Sequence, residues 1–371
     1  MGWQFGYECM ECGHAEGLDT ANAWCPVCGG LWTIKRDGER CAWNVDVAAV
    51  GLWRYRAMLP LSPQVVPVTL GEGWTPLTWE QVPVGTCYFK HEYLMPTGSF
   101  KDRGASVLVT LSRHMRVRSV VADSSGNAGA AVAAYCARAG LPCRIFVPEC
   151  TSPVKTRQME MVGADVERIP GRRENAALAV MEAAGGAFYA SHYRHPLFFH
   201  GVKTITFEIW EQMGRAVPGT VILPVGNGSL VLGVYTGFRE LVAMGLVQRM
   251  PVLIGVQAAR CAPLVHRMHG GVPVDVTALT VAEGIAIAEP VQGDRIIEAV
   301  RSTGGTLIEV EEAEIIGAYG WAWRRGICIE KTAAVGIAGV NRIGQMPGYP
   351  EPYLTVLTGN GLKMLASDPG E

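Results

Sequence analysis

The chain has 371 residues, 49% of them hydrophobic and 18% charged, with a formal net charge of −2. That length accommodates two or three domains with sizeable cores, and the apolar content excludes a disordered chain. Near-neutrality removes any global electrostatic drive toward nucleic acid or an anionic membrane.

Residues 1–40 stand apart. Four cysteines fall as Cys9-x-x-Cys12 and Cys25-x-x-Cys28, each pair followed by glycine (Gly13; Gly29-Gly30). Thiolates two residues apart on a tight turn can face one tetrahedral metal, and two such turns close a four-sulfur site. This spacing predicts a zinc-ribbon-like segment with a structural ion, since four protein ligands leave no open position for catalysis. The N-terminus shows no basic region followed by an apolar stretch, and no apolar run reaches the roughly 18 residues of a membrane span. The expectation is a cytoplasmic protein with reduced thiols. The other seven cysteines, Cys136 and Cys328 among them, are expected to pack in apolar runs.

Residues 41–100 form a lead-in rich in Pro and Gly. Residues 70–77 are turn-rich, 87–90 read as a short strand, and 96–99 as a turn opening a helix. Beyond them strand and helix patterns alternate. Strands are expected at 119–123, 143–147, 165–169, 220–225, 252–256, 306–310 and 353–357. Helices are expected at 128–139, 153–162, 174–184, 230–244, 311–325 and 332–343. This alternation argues for an α/β protein with parallel sheets covered on both faces.

Four local features carry chemistry. Ser99-Phe100-Lys101-Asp102-Arg103-Gly104 puts a lysine in the first turn of a helix, where a desolvated amine near a positive helix end can react with a carbonyl. Ser124-Ser125-Gly126-Asn127 follows a strand and opens a helix, and its hydroxyls and backbone donors suit a carboxylate. Pro224-Val225-Gly226-Asn227-Gly228-Ser229-Leu230 also joins strand to helix. It lacks both the P-loop lysine and a dinucleotide fingerprint, which points to a single phosphate. Thr358-Gly359-Asn360-Gly361 follows the last strand and places a neutral hydroxyl at the carboxyl end of the sheet. Together they describe a pyridoxal phosphate site. The glycines at 98, 126, 129, 226, 228, 359 and 361 fall in these turns.

The run Pro96-Thr97-Gly98-Ser99-Phe100-Lys101-Asp102-Arg103-Gly104 closely resembles the cofactor-lysine motif of the threonine synthases and their relatives in the tryptophan-synthase-β-like, fold type II, pyridoxal phosphate family. Gly71–Leu77, Ser125-Gly126-Asn127, Gly226–Ser229, Glu330–Ala334 and Thr358-Gly359 follow in that family's order. The resemblance implies two doubly wound α/β domains with the cofactor in the cleft between them. A large domain would comprise 41–104 and 211–371, a smaller mobile one 105–210, and the ribbon 1–40. It implies Lys101 as Schiff-base lysine and proton shuttle, Asn127 beside the phenolic oxygen, and Thr358 at the pyridine nitrogen. Gly226, Asn227, Gly228, Ser229 and Leu230 would hold the phosphate. Ser124, Ser125 and Asn127 would hold the substrate carboxylate. A neutral partner for the pyridine nitrogen favours elimination or replacement over transamination. The implied protein is a cytoplasmic homodimer acting on a small amino acid, with no nucleic-acid or membrane partner. Its implied activity is threonine formation from O-phosphohomoserine and water, with a β-eliminase, β-replacement enzyme or amino-acid ammonia-lyase as the alternative.

The substrate side departs from the family pattern. A threonine usual after the Asn of the turn is Ala128 here. Counting back from Lys203-Thr204, the position of a usual arginine is Phe198, and neither Ala nor Phe offers a donor to a phosphate dianion. Arg194 substitutes only if its loop is rearranged. His192, His195 and His200 read either as locally bonded loop residues or as groups over the substrate side chain. Glu283-Gly284-Ile285-Ala286 is similar to a run in the ammonia-lyases and dehydratases.

Overall fold

The computed structural model describes residues 5–36, 42–171, 173–271 and 280–367. The chain divides into two compact units, residues 1–73 with 101–202, and 74–100 with 203–371. The lead-in expected as one block over 41–104 is thus divided after Gly73, and residues 203–210 lie in the second unit.

In chain order the strands are β1 (Phe5–Cys9), β2 (Ala15–Gly17), β3 (Trp32–Arg36), β4 (Leu77–Val82), β5 (Gly85–Lys90), β6 (Val120–Ala122), β7 (Cys143–Pro148), β8 (Asp165–Ile169), β9 (Phe188–Tyr189), β10 (Thr220–Pro224), β11 (Val252–Ala258), β12 (Thr306–Val310) and β13 (Tyr353–Val356). The helices are α1 (Lys101–His114), α2 (Asn127–Ala139), α3 (Pro153–Met161), α4 (Arg173–Ala183), α5 (Pro196–Val202), α6 (Thr204–Gln212), α7 (Ser229–Ala243), α8 (Pro263–His269), α9 (Gly293–Arg301), α10 (Glu312–Trp323) and α11 (Lys331–Ile343).

In the first unit, β1 pairs antiparallel with both β2 and β3 to make the ribbon. Its small core is Tyr7, Cys9, Leu18, Cys25 and Trp32. A parallel sheet follows in the order β8-β7-β6-β9. Helix α2 is alanine-rich, which costs little side-chain entropy, and it ends at Gly140, whose left-handed backbone lets its N–H bond back to the last turn.

The second unit holds a six-stranded sheet in the order β12-β11-β10-β13-β5-β4, parallel except for the antiparallel edge strand β4. Every residue of β10 and β13 is buried, as parallel strands covered on both faces require.

The thirteen strands and helices expected after residue 100 are all present, their ends shifted by no more than two residues. Strands β4 and β9 and helices α5, α6, α8 and α9 are additional. The first seven residues of α6 are all buried, so it shows no amphipathic period that a sequence could reveal. The packing expected of the cysteines is corrected. Cys87, Cys136 and Cys261 are buried, but Cys143 and Cys328 are half-exposed and Cys150 is exposed. Cys41 lies outside the described residues.

Candidate active site

In the first unit Lys101 is the first residue of α1, and Asp102 and Arg103 behind it are fully buried. The Lys101 amine lies 5.6 Å from the centre of the Phe198 ring. Phe198 is carried by α5, which packs against α1 with unusually close backbones. A Cβ on Gly104 would overlap the Phe198 ring, and one on Gly201 would overlap the Arg103 carbonyl. Glycine at 104 and 201 is what lets the two helices approach and the ring reach Lys101. His192 completes this wall, its ring edge-on to Tyr193 (5.0 Å) and to Phe198 (6.1 Å).

The turn Ser124-Ser125-Gly126 joins β6 to α2, with Asn127 as the first helical residue. The Gly126 N–H donates to Ser124 Oγ at 3.3 Å. Just before it, the buried Asp123 accepts hydrogen bonds from Tyr189 Oη on one oxygen and Tyr193 Oη on the other, both at 2.8 Å. Sequence reasoning passed over Asp123, Tyr189 and Tyr193, because residues far apart in the chain carry no local signature of a shared network. Arg194 lies over the Tyr193 ring at 5.7 Å.

The second unit holds the other expected residues. Gly226 and Asn227 follow β10, and Gly228, with φ of +79°, caps α7 in a conformation that glycine adopts without strain. Gly226, Gly228, Ser229 and Leu230 are buried. The first turn of this 15-residue helix presents backbone N–H groups and contains no acidic residue, a donor set that fits a phosphate. Ile285, in the run 283–286, fills the space beside Gly226.

Thr358 follows β13. Its carbonyl accepts the Phe100 N–H at 3.1 Å, Ser99 bridges to Gly359, and the Asn360 N–H donates to the Gly98 carbonyl at 2.8 Å. From the other side the Glu330 N–H donates to the Gly359 carbonyl at 2.9 Å. The residues leading into Lys101 are therefore stitched to the Thr358 turn. Both Thr358 Oγ1 and Ser99 Oγ are buried without a hydrogen-bond partner among the described residues. Buried hydroxyls left so are costly, and a ligand nitrogen or oxygen would relieve them. Ser99 stood within the lysine motif, yet nothing in the sequence singled out its hydroxyl.

In the ribbon, the Sγ atoms of Cys9, Cys12, Cys25 and Cys28 all lie within 4.8 Å of one another. Each Cys-x-x-Cys turn is closed the same way, Gly13 N–H to Cys9 O and Gly29 N–H to Cys25 O. Four convergent thiols fit a tetrahedral metal such as zinc.

Burial sets the ionisation of the first unit's wall. It pushes His195 down to about 3. It drives His192 well below the usual imidazole range, aided by the positive charges of Lys101 and Arg173. Asp123 is pushed up by burial, and Tyr193 to about 12 by burial and the Asp123 charge. In the unfolded chain a histidine binds its proton near pH 6.5, whereas native His195 does not until about 3. Its contribution to stability is thus complete above 6.5 and is lost as pH falls. Between pH 7 and 5 it removes about 2 kcal/mol. Asp123 acts in the opposite sense, binding a proton more readily when folded. Urea unfolding at both pH values should show His195→Asn losing about 2 kcal/mol less than the wild type on acidification.

Over residues 68–359 the chain matches the family described as pyridoxal-phosphate dependent enzyme. It is similar to the threonine synthase of Methanosarcina acetivorans, at 33% identity covering 96% of this chain and 91% of that protein. It is likewise similar to the threonine synthase of Methanocaldococcus jannaschii, at 33% covering 96% and 92%. The threonine synthase of Mycobacterium leprae is 35% identical over 83% of this chain and 87% of that one. Among solved structures, maize serine racemase shares the fold with a TM-score of 0.67 at 23% identity, over 77% of this chain and 88% of that one. The processed form of threonine deaminase isoform 2 from Solanum lycopersicum does so with a TM-score of 0.65 at 25% identity, over 77% and 79%.

Proposed function

Because the chain belongs to the pyridoxal-phosphate dependent enzyme family, we propose that its reacting amine is Lys101 and that its reaction is the formation of threonine from O-phosphohomoserine and water. The broader activity is pyridoxal-phosphate-dependent elimination or replacement on an amino acid. The observation that carries the residue assignment is the stitched turn. Ser99 and Thr358 present buried, unpartnered hydroxyls beside the segment that delivers Lys101.

When bound, pyridoxal phosphate supplies an electron sink for negative charge developing at the substrate Cα. The chain's own residues do the rest. The α7 N-terminus, with Gly226, Asn227, Gly228, Ser229 and Leu230, would hold the phosphate. Asn127 would orient the cofactor ring from its phenolic-oxygen side, and the Thr358 hydroxyl would partner the ring nitrogen without a full charge, which would restrain delocalisation. Ser124, Ser125 and Asn127 receive the substrate carboxylate. The Lys101 amine would take the Cα proton and return it further along the side chain.

A second reading rests on Phe198. The ring stands by Lys101 where a phosphate clamp would be sought, and Ala128 is buried with no side-chain donor. These favour an uncharged leaving group, as in a β-eliminase or ammonia-lyase. The test is to supply the holoprotein separately with O-phosphohomoserine, serine and threonine. Threonine and inorganic phosphate in equal amounts support the first reading. Pyruvate or 2-oxobutyrate supports the second, and no turnover with any of the three overturns both.

The ribbon is read as a structural zinc site held by Cys9, Cys12, Cys25 and Cys28. Metal analysis should find one zinc per chain, and Cys9→Ala should abolish it. Because metal binding and folding of such a site are one equilibrium, the variant should also lose the ribbon's protection from proteolysis.

A further inference from the structure

One histidine joins the ribbon to the wall beside Lys101. His195 stands immediately before α5 and is 3% exposed. Its Nδ1 accepts the Leu197 N–H at 3.3 Å, which satisfies one of the helix's first donors. That bond settles the tautomer, so the proton is on Nε2. Nε2–H then donates to Tyr7 Oη at 3.4 Å, and the two rings meet edge to face, 5.8 Å between centres. Phe188 packs against the other side of His195 at 5.4 Å.

Tyr7 belongs to the ribbon core. It is 1% exposed, lies 5.7 Å from Trp32, and shares its cluster with Cys9 and Cys25. At the far end of the connection, α5 carries Phe198 to Lys101 and rests Gly201 on the Arg103 carbonyl. A physical path of packed groups therefore runs from the four cysteines through Tyr7, His195, α5 and Phe198 to the amine. Groups in direct packing contact transmit displacement from one to the next.

We propose that Tyr7 and His195 are positioning residues for Lys101. The ribbon holds α5 in place, and α5 holds Phe198 against the lysine. The ribbon is then part of the construction of the active site, in addition to its own fold. The effect on activity rests on the reading of Lys101 as the reacting amine, while the mechanical coupling does not.

The experiment uses the full-length, cofactor-loaded protein as wild type, Tyr7→Phe, His195→Asn and the double variant, each with its zinc content measured. Tyr7→Phe removes one oxygen. His195→Asn keeps an acceptor for the Leu197 N–H and loses the reach to Tyr7 together with the ring packing on Phe188. Amide hydrogen exchange across 196–202 should quicken about five-fold in each single variant, the worth of one hydrogen bond, and no further in the double. In the same variants kcat should fall by a similar factor at unchanged zinc content, and the pH profile of kcat should shift, because the Lys101 amine is held less firmly. Unaltered exchange across 196–202, or effects that add in the double variant, overturns the proposal. So does altered exchange with unaltered kcat and pH profile in an active enzyme. If exchange responds as expected but the parent protein forms no visible cofactor band, the mechanical coupling stands and the assignment of Lys101 fails.

Discussion

Lys101→Ala should lower turnover by roughly three orders of magnitude or more and remove the visible absorbance of the cofactor-loaded protein. Both effects come from one atom. On the proposed function, the Nζ is at once the amine that tethers the cofactor and the base that moves the substrate proton. Its position has no local substitute. Asp102 and Arg103 are buried behind it, and Phe198 occupies the space beside it. His192 is held neutral by burial and by the Lys101 charge, and its ring lies packed edge-on against Phe198. Lys101→Arg should be nearly as inactive, since a guanidinium keeps its proton at any pH the protein survives. Absorption spectra and single-turnover rates of both variants are the check. An intact absorption band in Lys101→Ala would remove Lys101 from the role.

Glu72→Ala should destabilise the protein by about 3–5 kcal/mol, a drop in melting temperature of roughly 5 °C. Glu72 is 1% exposed in the lead-in, and its carboxylate is an acceptor for donors from four separate stretches of the first unit. Trp53 Nε1–H donates at 2.7 Å, the Leu70 N–H at 2.8 Å, Tyr135 Oη at 2.9 Å and Thr69 Oγ1 at 3.0 Å, and the Ser106 hydroxyl on α1 donates as well. Alanine leaves all of these donors buried and unsatisfied. The loss should register in thermal or denaturant unfolding. The kcat measured well below the transition should stay near that of the wild type, because Glu72 organises the base of α1 and touches no reacting group.

How far the sequence reaches is clearest in two contrasting places. The place of Lys101 at the start of α1, the glycine turn before α7 and the convergence of the four cysteines are legible because each depends on short-range spacing. A lysine after Gly-Ser-Phe, glycines at a strand–helix junction and paired Cys-x-x-Cys turns all place their chemistry within a few residues. The alternation of strand and helix is legible for the same reason, since β6 with α2 and β10 with α7 are each continuous patterns. Asp123 with Tyr189 and Tyr193, and Tyr7 with His195, are not. Those sets close over sequence separations of 66 to 188 residues, and a phenol that bonds a buried carboxylate looks, in one dimension, like any other core tyrosine. The histidine loop shows the limit from the other side. His195 is bonded locally to Leu197, as one reading had it, yet the same ring also reaches the ribbon.

The packing of Phe198 against Gly104 also governs how this chain can change by mutation. The ring fills the volume that any larger residue at 104 would need, so position 104 can grow only after position 198 has shrunk. Shrinking 198 first leaves a hole beside Lys101, and growing 104 first forces a clash, so each single step is worse than both endpoints. A lineage or a laboratory selection seeking a different group at 198 must therefore cross a fitness valley or change both positions together. The two sites form one unit of inheritance, although 94 residues separate them in the chain.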